Sequence, residues 1–167
     1  HLLGRRLRSM ASSHPQRPKA AALLSSGKPE QSVFWRDEET GIDCRCRPDF
    51  WNSNGIIVDL KSTEDASPHG FARSVANYRY HVQDAFYSSG IYQATGEYPK
   101  GFIFIAVEKK APFAVACYTL DEQAKERGHE LFRRDLMTLA ECIKTNTFQA
   151  YSEQIEPLSL PAWAYYD

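Results

Sequence analysis

An α/β fold, a mixed β-sheet flanked by helices, is what the 167-residue sequence predicts, and three observations carry that reading. Short segments of strand character alternate with turn-rich stretches between residues 31 and 61. A helical period follows over 71–90, and after it comes a continuous apolar run, Phe102-Ile103-Phe104-Ile105-Ala106-Val107. Strand, helix and strand in that order imply a crossover connection, and therefore a parallel pair inside a sheet with both faces covered. The length fits one domain with a sizeable core. Hydrophobic residues at 43% and charged residues at 25% exclude a disordered or fibrous chain.

No apolar run approaches the ~20 residues of a membrane helix, so a cytoplasmic protein with no membrane partner is expected. The net charge of −1 excludes a globally basic nucleic-acid binder, yet the basic residues are unevenly placed. Arg5, Arg6, Arg8, Arg17, Lys19 and Lys28 occur in 1–29 without a single acid, which leaves 14 basic residues against 21 acidic ones beyond. Residues 1–29 are expected to be a basic N-terminal segment of remnant helices. Leu2, Leu3, Leu7 and Met10 mark one amphipathic stretch, residues 20–24 another, with Pro15 and Pro18 between them. A chain opening on His1 reads as a fragment shortened at its N-terminus. Residues 30–167 are expected to form the main domain.

Ser32-Val33-Phe34-Trp35 and Ile42-Asp43-Cys44-Arg45-Cys46-Arg47 flank the turn Asp37-Glu38-Glu39-Thr40-Gly41 and predict an antiparallel hairpin. It is expected to feed a third strand, 56–61, making 33–61 a meander. Between them Pro48-Asp49 precedes the turn Asn52-Ser53-Asn54-Gly55. Side chains alternate along a strand, so Asp59 and Lys61 share one face, and Asp49 brings a second carboxylate across the turn. Two such carboxylates offer hard oxygen ligands that suit Mg²⁺, with Mn²⁺ as a substitute, and a cation there polarises a phosphodiester and activates water. Lys61 is placed to orient that water or to steady charge developing on phosphorus. An Asp-x-Lys triplet alone reads equally as a surface ion pair. Asp49 across the turn, and the apolar Ile56-Ile57-Val58 leading into Asp59, favour the metal site.

Over 71–90 the helical period puts Val75, Tyr78, Val82, Ala85 and Phe86 on one face and Tyr80, Gln83 and Tyr87 on the other. Pro99 and Gly101 punctuate the chain before the central strand at 102–107, and 113–118 is its expected neighbour. Thr119-Leu120-Asp121-Glu122 reads as a capping box opening a helix over 121–144, with Phe132, Leu136, Leu139 and Ile143 as its core stripe. His69, His81 and His129 read as surface or helix histidines. The apolar tail 158–166 is expected to pack on the body or on another subunit.

The carboxylate, turn and acid-x-lysine order resembles the PD-(D/E)xK nuclease superfamily. Four longer strings are similar to the nuclease domain of exodeoxyribonuclease VIII (RecE-type): Glu39-Thr40-Gly41-Ile42, Cys44-Arg45-Cys46-Arg47-Pro48-Asp49, Tyr78-Arg79-Tyr80-His81-Val82-Gln83-Asp84-Ala85-Phe86-Tyr87 and Leu158-Ser159-Leu160-Pro161-Ala162-Trp163-Ala164. The likeness runs from about Gly27 to the C-terminus. It implies a restriction-endonuclease-like core and Mg²⁺-dependent 5′-to-3′ exodeoxyribonuclease digestion of double-stranded DNA ends in homologous recombination or prophage DNA processing. It also implies a RecT-type single-strand annealing recombinase as partner, and a homo-oligomeric ring.

On this reading Asp49, Asp59 and the main-chain carbonyl of Leu60 hold the metal, and Lys61 acts beside it. Gln83 and Tyr87 match the Gln-x-x-x-Tyr motif that RecB-like nucleases carry near the active site, and Tyr80 is expected to stack on a base. Glu30 matches a glutamate position of the family, and Ser62 and Thr63 are candidate phosphate donors. Cys44, Cys46, Cys117 and Cys142 lack any Cys-x-x-Cys pair, so reduced thiols are expected rather than the iron–sulfur cluster of some relatives. The histidine that RecB-like enzymes place upstream has no counterpart in this sequence. That absence keeps a rival class open, a non-catalytic DNA-binding or assembly domain derived from such a nuclease.

Overall fold

The computed structural model describes residues 17–152 and 154–165; the amphipathic stretch expected near the N-terminus, 2–10, lies outside them. In chain order the elements are α1 (Arg17–Leu23), β1 (Gly27–Pro29), β2 (Val33–Arg36), β3 (Asp43–Cys46), β4 (Phe50–Asn52), β5 (Ile56–Thr63), α2 (Pro68–Asn77), α3 (Tyr80–Thr95), β6 (Gly101–Glu108), β7 (Val115–Tyr118) and α4 (Glu122–Thr145), with a short 3₁₀ turn at Ala162–Tyr165. A five-stranded sheet of order β1-β4-β5-β6-β7 forms the centre. Strands β5 and β6 are parallel from Ile56 opposite Gly101 to Thr63 opposite Glu108, and every other pair is antiparallel. The mixed α/β architecture is the expected one, with a helical crossover between two parallel strands.

The meander is not. Strands β2 and β3 pair only with each other in a separate two-stranded sheet, and the partner of β5 is β4. Pro48 supplies the reason, because it has no amide hydrogen to extend a ladder, so the chain leaves β3 and restarts as a new strand. The hairpin instead turns Val33, Trp35, Cys44 and Cys46 inward against α3. The cysteines are free thiols, and burial pushes Cys46 up to about 12, an inert core residue.

Alternation along β5 and β6 divides the interior. Ile57, Phe102, Phe104 and Ala106 face Phe71, Val75, Ile91 and Trp35, whereas Val58, Ile105 and Val115 face Ala20, Leu23 and Leu24 around α1. Each fully buried side chain of this size contributes about 1.5–3 kcal/mol. Helix α1 and strand β1 are thus built into the same body as the rest.

The expected helix over 71–90 is two helices. Ser67 caps α2, its hydroxyl accepting from the Gly70 amide at 3.1 Å, and the helix stops at Tyr78. Arg79, at φ 58°, is left-handed and starts α3 in a new direction. Its guanidinium pairs with Asp135 of α4, and α3 lies along α4 so closely that a Cβ on Gly128 would come 2.0 Å from the His81 carbonyl. Tyr78, assigned to the core face by periodicity, is 70% exposed because the break carries it out of that stripe.

Helix α4 also differs from expectation. Its cap is Asp121, which accepts from the Ala124 amide at 2.8 Å, rather than Thr119. Phe132 is buried and Leu136 half-buried, but Leu139 and Ile143 are exposed, so the core stripe covers only the first part of the helix. Near its middle Arg133 clamps the β2–β3 turn through Asp37 and Glu39. Burial works against the Asp37 charge, yet Arg133 and the hydroxyl and amide of Thr40 outweigh it and hold the carboxyl well below its usual range. In the tail, Ile155, Leu158 and Trp163 are exposed and do not pack on the described body. No helix among the described residues is long and apolar enough to cross a membrane.

Candidate active site

Strand β4 pairs with β5 only through Phe50 opposite Val58 and Trp51 opposite Ile57, so beyond Val58 that edge of β5 has no strand beside it. Asp49 fills the gap with its side chain: Oδ2 accepts from the Leu60 amide at 2.8 Å, in place of a ladder bond. The N–H and C=O of one residue in a strand point the same way, so the Leu60 carbonyl is directed to the edge where Asp49 sits. Asp59, one position earlier on β5, is 3% exposed.

From the sheet face above, α3 closes the cluster. Gln83 bridges both β5 side chains: its Oε1 accepts from Lys61 Nζ at 2.8 Å, and its Nε2 donates to Asp59 Oδ2 at 2.7 Å. Lys61 Nζ lies 2.5 Å from Asp59 Oδ1 and 4.4 Å from the centre of the Tyr80 ring. One turn along α3 from Gln83, the half-buried Tyr87 ring meets Phe102 edge-on at 6.3 Å. Asp49 at the free edge of β5 and Asp59, Lys61, Gln83 and Tyr87 on the face beside it are therefore brought together around this strand.

Burial is the main influence on Asp59 and raises its pKa; Lys61 pulls it down, and the Asp49 charge pushes it up again. Burial, and then the Asp59 charge, likewise push the Tyr87 phenol up. Asp59 Oδ1 is buried without a hydrogen-bond partner, its only compensation being the Lys61 ammonium. A desolvated carboxylate beside a second carboxylate and a main-chain carbonyl offers oxygen donors of the kind that suit a hard divalent cation. Among the described residues no three or more His, Cys, Asp or Glu side chains gather as a metal site, so those residues offer two carboxylates and the Leu60 carbonyl here.

The auxiliary candidates separate. Glu30 is tied to the site by its backbone, its amide donating to the Asp49 carbonyl at 3.0 Å, while its side chain is exposed. Ser62 points to the opposite sheet face from Asp59 and Lys61. Thr63 shares their face but is buried, and its hydroxyl donates to the Asp65 carbonyl at 3.0 Å, which makes it a turn residue rather than a phosphate donor. Tyr80 stacks on Phe104 with centroids 5.9 Å apart and lies beneath Lys61, so its ring is engaged inside the protein instead of free for a base. Sequence reasoning missed the exposure of Tyr78, because neither glycine nor proline marks the break at Arg79.

A family profile described as a PDDEXK-like domain of unknown function (DUF3799) matches residues 5–161. Among solved structures, a crystal structure named "Putative exonuclease" from Eubacterium rectale superposes with a TM-score of 0.62 at 15% identity, covering 90% of this chain and 64% of that one. The chain thus spans less than two thirds of that protein's length, and the likeness is one of fold. A second structure, that of SSO0001, reaches a TM-score of 0.42 at 15% identity over 73% of this chain and 55% of that one, too loose to carry a fold assignment. A search of curated proteins returned no match.

Proposed function

The chain belongs to the PDDEXK-like family whose profile spans residues 5–161, and on that premise we propose that it is a nuclease hydrolysing phosphodiester bonds at the Asp49, Asp59 and Lys61 cluster. The observation that carries this reading is the buried Asp59 carboxylate with one oxygen lacking a hydrogen-bond partner, held beside Lys61 by Gln83. Two carboxylates clustered with only one lysine in this way cost stability unless a cation joins them. The finer reading is an exodeoxyribonuclease VIII-type enzyme that digests double-stranded DNA from its ends, 5′ to 3′, in homologous recombination or prophage DNA processing. The matched strings around Asp49 and Gln83 support it, as does the exonuclease name of the Eubacterium rectale structure. A RecT-type annealing recombinase and a homo-oligomeric ring belong to this same reading.

Asp49, Asp59 and the Leu60 carbonyl would hold Mg²⁺ or Mn²⁺, which when bound supplies Lewis-acid polarisation of the phosphodiester and a more acidic water. The chain's own groups do the rest. Lys61 presents a fixed positive charge to the phosphate, because Gln83 and Asp59 leave its ammonium little freedom. Gln83, locked on both sides, sets the distance between acid and amine. Tyr87, packed edge-on against Phe102, flanks the cluster one helical turn from Gln83.

Digestion of a linear duplex labelled at its 5′ or 3′ end, with and without Mg²⁺, tests the proposal. The expected result is Mg²⁺-dependent loss of the 5′-labelled nucleotide first, abolished in Lys61→Ala. The absence of a third ligating side chain among the described residues favours one alternative, a DNA-binding or assembly domain without catalysis. Tight duplex binding with no cleavage would select it.

A further inference from the structure

At the break between α2 and α3 the chain holds Tyr78 outside the protein. Its ring is 70% exposed yet not loose, being stacked on Tyr80 with centroids 5.7 Å apart and planes 27° from parallel. Tyr80 in turn stacks on Phe104 of the central strand and carries Lys61 Nζ 4.4 Å from its centre. The two contacts together keep the Tyr78 ring within about 10 Å of the Lys61 ammonium, the span from a phosphate to its own or a neighbouring base. Leaving a large aromatic in water gains nothing for folding, and the left-handed Arg79 that keeps it there is a conformation a non-glycine residue adopts only at some cost. Lys109 and Lys110, which share Glu64 at the same end of the β5–β6 pair, add positive charge for neighbouring phosphates.

We propose that Tyr78 is a stacking platform for an unpaired nucleobase, next to the nucleotide whose phosphate sits at the Asp49, Asp59 and Lys61 cluster. The proposal rests on the nuclease reading of that cluster and names its substrate more narrowly. A base inside a duplex is already stacked on both sides, so this platform takes a single strand or a frayed end and not an intact duplex interior. Tyr80, engaged beneath it, is the rigid support that lets Tyr78 stack without an ordering cost.

The test is equilibrium binding of a fluorescein-labelled oligothymidylate in Ca²⁺, which permits binding without turnover, set beside an oligonucleotide of equal length built from abasic residues. Tyr78→Ala is expected to weaken oligothymidylate binding roughly tenfold and Tyr78→Phe to leave it unchanged, because stacking uses the ring and not the hydroxyl. On the abasic strand wild type and Tyr78→Ala are expected to bind alike, which a merely structural role for Tyr78 would not produce. Wild-type affinity in Tyr78→Ala, or an equal loss in Tyr78→Phe, overturns the proposal. Cleavage assayed in Mg²⁺ keeps the two readings apart. An active Tyr78→Ala enzyme with unchanged affinity defeats the stacking alone, and base-dependent loss of binding in a protein that never cleaves defeats the nuclease reading alone.

Discussion

Two buried acids behave in opposite ways to what a stable core would select. Asp59 has its pKa raised by burial, so it binds its proton more tightly in the folded state than in the unfolded one. Its contribution to stability is therefore fully present below the ordinary carboxylate range and is lost as pH rises through its folded pKa. Asp59→Asn is expected to melt higher than wild type at neutral pH, to lose that advantage in acid, and to show no Mg²⁺ binding by calorimetry. Lys61→Ala is expected to retain metal binding while losing cleavage, and to need a higher pH for binding, since the cation that helped ionise Asp59 is gone. Asp84 shows the same sign without a place in the cluster. Between α3 and α4 its Oδ2 is buried without a partner, and burial moves its pKa from 3.8 to about 6. Asp84→Asn should gain roughly 3 kcal/mol at most above pH 6, as read from denaturant melts, and nothing below the unfolded value. An unchanged pH profile would mean that Asp84 is satisfied by some other group.

Two of the contacts that hold helix α4 to the rest are each expected to give a measurable loss. Arg133→Met strands the buried Asp37 charge and should cost about 3 kcal/mol or more, whereas replacing the exposed pair Arg127 and Glu130 should cost under about 1 kcal/mol. Gly128→Ala places a methyl against the His81 carbonyl, so α3 must move, and about 1–3 kcal/mol should be lost together with the alignment of Gln83 over Lys61. At this scale the sequence was most readable where one local rule decides. The strand delivering Asp59 and Lys61, the apolar 102–107 strand and the helix bearing Gln83 and Tyr87 were legible from alternation, from an unbroken apolar run and from a period of 3.6. What was not legible depends on distant partners: the break at Arg79, stabilised by Asp135 across more than fifty residues, and the separation of β2–β3 from the main sheet. The fate of Leu139 and Ile143 is a third case, because a helical stripe announces a buried face even where no described neighbour covers it.

Among the described residues, the five-stranded sheet lies between a thick cover of α2, α3, α4 and the hairpin and a thin cover by α1. Ala20, Leu23 and Leu24 shield Val58, Ile105 and Val115, and the Asn52 side chain donates to the Leu23 carbonyl at 2.6 Å. Removing residues 1–26 should strip this face and take away a large part of the roughly 5–15 kcal/mol that holds such a domain, seen as dye binding and lost near-ultraviolet dichroism. The parallel pairing of β5 with β6 has a further consequence, in time rather than in space. Val58 and Ile103 are register partners about 45 residues apart in the chain, so their pairing closes a long loop and waits for both crossover helices. Asp59 and Lys61 are synthesised early but gain their neighbours late. A chain still emerging from the ribosome is therefore expected to lack the assembled Asp59 and Lys61 cluster until β6 is clear of the exit, so the order of synthesis would delay the proposed activity until the body has closed.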